Sequence, residues 1–241
     1  MKKSIILLFL ILLIVRFSAF AFDLRSKIVL IYSGPGACSS CPEAIGRILI
    51  KNGFSIQYIK PGQLTKLKFS NAVLYIQPGG TDRPNDILEA LKPAEIQNLK
   101  DFVYSGGRYL GICSGGYLAG KYVTDDKKSR AFGLLPIDVD EEQEDAKPKL
   151  ESILWKNSAL SVYFQDAPSF NTNLLPHAEV WATYRKTGHG AALINNFGKG
   201  RVGVIGPHLE AIQDWFDDDN LIAPPPSYDL LLEFVTSLLK T

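Results

Sequence analysis

The chain has 241 residues, 46% of them apolar and 21% charged, a composition that excludes a largely disordered protein. That length can bury the core of one large α/β domain or two small ones. The formal charge is +1, and setting aside Lys2, Lys3 and Arg16 leaves a net −2; with no basic tract interleaved with aromatics, nucleic acid is not an expected partner.

Residues 1–21, "MKKSIILLFLILLIVRFSAFA", read as a secretory signal. Lys2 and Lys3 supply a basic start, Ile5 to Val15 an apolar run of eleven residues, and Ala19-Phe20-Ala21 an A-x-A cleavage site. A bilayer span needs about 20 apolar residues, so no stable membrane span is expected after cleavage, an uncleaved anchor being the alternative. The expectation is an exported protein, periplasmic or extracellular, with residues 22–241 forming a single domain.

"KIVLIYS" (residues 27–33) is a β-branched run closed by "GPGA", a buried strand and a tight turn. "PEAIGRILIKNG" has helical spacing, with Pro42 suited to a first helical position and Gly53 to the position after the last turn. "FSIQYI" alternates as a strand, "AVLYIQPGG" is an apolar run ending in glycines, and "AEIQNLKDFVYSGG" is a helix stopped by Gly106-Gly107. "YLGIC" and "SGGYLAGKY" repeat the strand-to-helix step. This alternation predicts a mostly parallel sheet with helices on both faces. Further on, "DVDEEQEDAKPK" (residues 138–149) reads as a solvated linker, and "ALSVYFQDAPSF", "AEVWATYRK" and "GAALINNF" as antiparallel strands. "GRVGVIGPHLE" is a strand ending at His208, and "DLLLEFVTSLLK" a closing amphipathic helix.

The chemistry concentrates at Gly111-Ile112-Cys113-Ser114-Gly115, a G-x-nucleophile-x-G elbow with cysteine as the nucleophile. A thiol at a strand-to-helix turn meets backbone N–H groups and the positive end of the helix dipole, which favour the thiolate. The N–H of Ser114, with Gly79 or Gly80 of "QPGG", is the expected oxyanion donor set. A thiol nucleophile also needs a base. Of three histidines, His208 follows an apolar strand at the carboxyl end, where open α/β sheets place their sites. Glu210 is near enough in sequence to orient it. His177 precedes a strand, and His189 lies in a glycine turn expected to be solvated. Asp82 is expected to line the pocket and select an amine.

The segments "YSGPGA", "QPGGTDRP", "FVYSGGRYLGICSGGYLAG", "VYFQDAPSF", "AEVWATY" and "FGKGRVGVIGPHLE" together resemble the domain at the N-terminus of eukaryotic biotin–protein ligases, which also occurs as a stand-alone bacterial protein. That domain lies within the class I glutamine amidotransferase-like superfamily, and the resemblance runs from about Ile28 to Glu210. It implies a flavodoxin-like sheet and a Cys113–His208–Glu210 triad. Glutaminases of the superfamily carry a glutamine four residues after the cysteine; here that position is Tyr117, which argues against glutamine hydrolysis. No ligase or biotin-carrier domain is evident, so biotin ligase activity is not implied.

Cys38-Ser39-Ser40-Cys41 is a C-x-x-C pair, expected to form a local disulfide that leaves Cys113 as the odd thiol. A redox-active pair and pairing of Cys113 with Cys38 or Cys41 are the alternatives. A zinc site on these two cysteines lacks its other ligands, and no cofactor or metal is implied. The functional expectation is a Cys-His-Glu hydrolase of a small amide or peptide whose identity is open. The alternative is a non-catalytic binding module that keeps the pocket. An α/β-hydrolase is a weaker fit, because its acidic residue normally precedes the histidine.

Overall fold

The computed structural model describes residues 28–81, 83–123, 129–143 and 147–240. The signal segment 1–21 and Asp82 lie outside the described residues.

Four strands in βα succession build the first half: β1 (Ile28–Tyr32), β2 (Ser55–Ile59), β3 (Ala72–Gln77) and β4 (Arg108–Ile112). Their side chains alternate between two cores. Val29, Ile31, Leu74, Ile76, Leu110 and Ile112 face one side, while Leu30, Tyr32, Tyr75 and Tyr109 face the other. Strands buried on both faces read as largely apolar runs, as β1, β3 and β4 do, whereas β2 at the sheet edge is half-buried. The first face is covered by α1 (Cys41–Lys51) and the C-terminal α7 (Tyr228–Leu238). On the second lie α2 (Lys66–Ser70), α3 (Asn85–Ala90), α4 (Pro93–Tyr104) and the short α5 (Ser114–Ala119).

Helix ends follow the sequence signals. Pro42 sits in the first turn of α1, and Gly53 follows it at φ +88°, the left-handed conformation that closes a helix cheaply only with glycine. At α4 the buried Glu95 accepts from the N–H groups of Lys92, Gly62 and Leu64 at 3.2, 2.7 and 3.1 Å, tying the helix start to the loop after β2.

The nine-stranded sheet has the order β2-β1-β3-β4-β11-β10-β9-β6-β7. Its remaining members are β6 (Lys149–Trp155), β7 (Ser158–Phe164), β9 (Glu179–Tyr184), β10 (Gly190–Phe197) and β11 (Gly200–Ile205). Strands β2 through β11 in that order pair in parallel, and every pairing from β11 to β7 is antiparallel. The sheet is therefore evenly mixed, with a larger antiparallel share than the βα alternation alone predicts.

The 138–149 segment is more than a solvated linker. β5 (Asp140–Glu141) pairs with β8 (Pro168–Ser169), and Glu142 is buried, accepting from the Thr187 hydroxyl at 2.6 Å and lying 3.1 Å from His189 Nδ1. Its acidic composition hid one inward-facing carboxylate. Among the described residues, no helix is long and apolar enough to cross a membrane.

On the first face Phe234 of α7 is fully buried against Trp181 and Trp155, with ring centroids 5.2 and 6.0 Å away. Gly203 of β11 makes room for it, since a Cβ there would stand 2.7 Å from the Phe234 ring. Phe234→Ala is expected to lower unfolding stability by about 3–5 kcal/mol, read as a lower urea midpoint at unchanged slope.

Candidate active site

Parallel strands deliver their carboxyl ends to one edge, and the candidate site is assembled there. The Cys38–Cys41 segment follows β1, Gly79-Gly80 follows β3, Cys113 follows β4, and His208 follows β11.

Cys113 lies between β4 and α5 at φ +49° and ψ −112°, a conformation that costs a non-glycine residue about 1–3 kcal/mol. Its N–H donates to Ile205 of β11 at 3.0 Å, and its carbonyl accepts from Gly116 at 2.7 Å. The flanking glycines are required by space: a Cβ on Gly111 would collide with the Gly115 carbonyl, and one on Gly115 with the Gln77 carbonyl. The sequence elbow is thus a structural elbow.

His208 and Glu210 are both buried, and His208 Nδ1 lies 2.8 Å from Glu210 Oε1. Glu210 is fully enclosed and its Oε2 has no hydrogen-bond partner among the described residues, so the carboxylate is dedicated to the imidazole. Main chain and rings fix the histidine. Its N–H donates to the Tyr163 carbonyl at 2.9 Å, and the rings of Tyr163 and Trp215 meet it at 5.8 and 5.3 Å. The Tyr163 hydroxyl donates in turn to Asp219 at 2.6 Å. Burial and then this hydrogen bond keep the phenol protonated by raising its pKa.

Burial by itself would lower the pKa of His208. The Glu210 carboxylate, followed by the Cys113 sulfur, outweighs burial and raises it from 6.5 to about 10. The Cys113 sulfur is therefore a side-chain neighbour of the imidazole. The other polar neighbours of the thiol are the carbonyls of Gln165 and Asp166, at 3.8 and 4.0 Å, the outer limit for sulfur. Catalytic hydrogen bonds are often long before substrate binds.

The 79–80 main chain bridges the histidine and the elbow. A Cβ on Gly79 would stand 2.6 Å from His208 Cε1, and one on Gly80 2.7 Å from Ser114 Oγ. The N–H groups of Gly79, Gly80 and Ser114 donate no hydrogen bond among the described residues, as an oxyanion donor set requires. Tyr117, on α5, is buried with an unpartnered hydroxyl, and burial, then Asp166 and Cys113, raises its pKa. It therefore offers a neutral O–H donor where glutaminases carry an amide.

Cys38 and Cys41 form the expected disulfide, and Cys113 is free. Cys41 Sγ, a ring nitrogen of His208 and a Glu210 oxygen all lie within 4.8 Å of one another. Two ligands that the sequence could not supply are thus beside Cys41, but its sulfur is committed to the disulfide and the Glu210 oxygen to the imidazole. This group fits a triad edge better than a metal centre.

The other histidines stand apart. His177 is exposed ahead of β9, which runs in the same direction as β11, so it lies toward the opposite edge. His189 immediately precedes β10 and is exposed, yet it is not simply solvated, because Glu142 holds its Nδ1. Residues missed in the sequence are Tyr163, Gln165, Asp166 and Trp215. The only local signal was the "VYFQDAP" stretch, whose Asp166 turns at φ +43°. A cleft of about 1140 Å³ lined by Lys66, Phe69, Phe102, Arg108 and Lys240 lies at the amino ends of β3 and β4, away from this chemistry. Cys113 itself is only 6% exposed, which restricts access to small groups.

Sheet order, elbow and histidine place the protein in the class I glutamine amidotransferase-like fold. Residues 27–133 match the family model described as "Biotin-protein ligase, N terminal", a stretch that includes the elbow and stops short of His208 and Glu210. Among solved structures, PurLQS from Thermotoga maritima is similar with a TM-score of 0.61 and 16% identity, over 88% of this chain and 99% of that one. A glutamine amidotransferase matches at 0.59 and 16%, over 76% of this chain and 90% of that one. Another glutamine amidotransferase, from Thermotoga maritima, matches at 0.59 and 13%, over 90% and 99%. No curated protein matches the chain.

The raised pKa of His208 sets the sign of a pH effect. Its contribution to stability is fully present below the unfolded value of about 6.5 and is lost as pH rises through about 10. The gap in urea midpoint between wild type and His208→Gln should accordingly narrow from neutral to alkaline pH. A gap independent of pH would contradict a charged native imidazole.

Proposed function

We propose that the protein is an exported cysteine-dependent hydrolase of small amides or peptides, with Cys113 as nucleophile, His208 as proton shuttle and Glu210 as the group that orients His208. The 2.8 Å His208–Glu210 hydrogen bond, set beside a free cysteine in a strained elbow, carries this reading.

With the proton already on His208, the Cys113 sulfur attacks the amide carbonyl as the anionic partner of that imidazolium. The developing oxyanion lies where the N–H groups of Ser114 and of Gly79 or Gly80 can receive it. Protonated His208 then gives its proton to the leaving amine. Water, activated by the neutral imidazole, releases the acid from the thioester. Export is supported by the signal-like residues 1–21 and by a disulfide, a bond that persists in oxidising compartments.

The second reading is a binding module, favoured by the near-complete burial of Cys113 and by Tyr117 in the glutamine position. Iodoacetamide labelling of Cys113 separates the two. Wild type should label rapidly at neutral pH, with His208→Gln and Glu210→Gln about tenfold slower or more; in a screen of amides and dipeptides, His208→Gln should lower turnover by about 10²–10⁴-fold. Labelling indifferent to both variants would favour the binding module.

A further inference from the structure

The Cys38–Cys41 disulfide differs from a structural staple in three ways. First, its two sulfurs are unequal. Cys38 is partly exposed, whereas Cys41 is 1% exposed at the start of the eleven-residue helix α1. Second, the Cys41 N–H donates to Cys38 Sγ at 3.0 Å, so the helix N-terminus is aimed at the exposed sulfur and favours its thiolate. Third, the buried sulfur sits beside a proton-carrying pair. Cys41 Sγ lies within 4.8 Å of ligand atoms of both His208 and Glu210, whose Oε2 is enclosed without a partner. A static cross-link uses none of this. The segment between the sulfurs is also held from outside: Trp215 Nε1 donates to Ser40 Oγ at 2.8 Å, and the same indole packs edge-on against His208.

We propose that Cys38 and Cys41 form a redox-active couple that exchanges with an external dithiol, Cys38 being the attacked sulfur and His208 the proton donor to Cys41. A donor thiolate attacks Cys38 Sγ, forming a donor–Cys38 disulfide. The Cys38–Cys41 bond breaks, its electron pair leaves on Cys41 Sγ, and His208 protonates that sulfur. The donor's second thiol, losing its proton to solvent, attacks its own sulfur in the mixed disulfide. Cys38 is released as a thiolate held by the Cys41 N–H. The donor is oxidised to a disulfide, the chain gains two electrons, and solvent reprotonates His208. The reverse sequence oxidises an incoming dithiol. This activity needs no reaction at Cys113, so it stands apart from the hydrolytic reading.

The test uses the full chain carrying Cys113→Ser, which removes the third thiol and the hydrolytic nucleophile together. Folded protein is mixed with dithiothreitol, quenched with a maleimide and read by mass, with oxidised dithiothreitol for the reverse direction. The expected result is reversible reduction without unfolding, slowed about tenfold or more by His208→Gln or Glu210→Gln, with an altered pH profile. Should those buried changes unfold the chain, single-cysteine variants decide. Cys41→Ser should form a mixed disulfide with glutathione disulfide at Cys38, and Cys38→Ser should leave Cys41 unmodified. A disulfide reduced only after urea unfolding, rates and pH profile unmoved by His208→Gln in a folded chain, or preferential modification of Cys41 would each overturn the proposal.

Discussion

The backbone of Cys113 is the constraint on which the site depends. A non-glycine residue at φ +49° persists only where its surroundings over-determine it. Here the Cys113 N–H is bound by Ile205 and its carbonyl by Gly116, while Gly111 and Gly115 clear the space around the turn. The bond to Ile205 has a second effect. Ile205 is the last residue of β11, so the tie that strains Cys113 also registers the strand leading into His208. Geometry at Cys113 and placement of His208 are one structural event.

Around that tie, the carboxyl edge brings three glycine-bearing loops together in a small volume. Gly79 is pressed between His208 and Cys41, and Gly80 against Gly36 and Ser114. Side chains at these positions would push the histidine, the disulfide and the elbow apart. The low exposure of Cys113, His208 and Glu210 follows from this crowding. So does the electrostatics: with little water nearby, the Glu210 carboxylate controls the imidazole.

What was legible in the sequence is what local chemistry dictates. Glycines flank the elbow because backbone passes close to them, Cys38 and Cys41 are close enough in the chain to pair, and Glu210 follows His208 by two residues. Distant contacts left no such mark. Trp215 reaches Ser40 across 175 positions, and Gln165 and Asp166 arrive over Cys113 from the end of an antiparallel strand. Glu142 lies in a charged run whose composition describes its neighbours and not itself. The parallel first half and the antiparallel strands of the second were legible, whereas their order in the sheet was not, because strand order is a long-range property and periodicity reports only which face is buried.

The central claim is that His208 is held as a cation between Glu210 and Cys113. Nitrogen-15 NMR of the His208 ring across pH tests it most directly. The account predicts a doubly protonated ring at neutral pH that titrates near about 10, with Nδ1–H engaged by Glu210. A neutral ring at pH 7, titrating at or below the ordinary value of about 6.5, would contradict it.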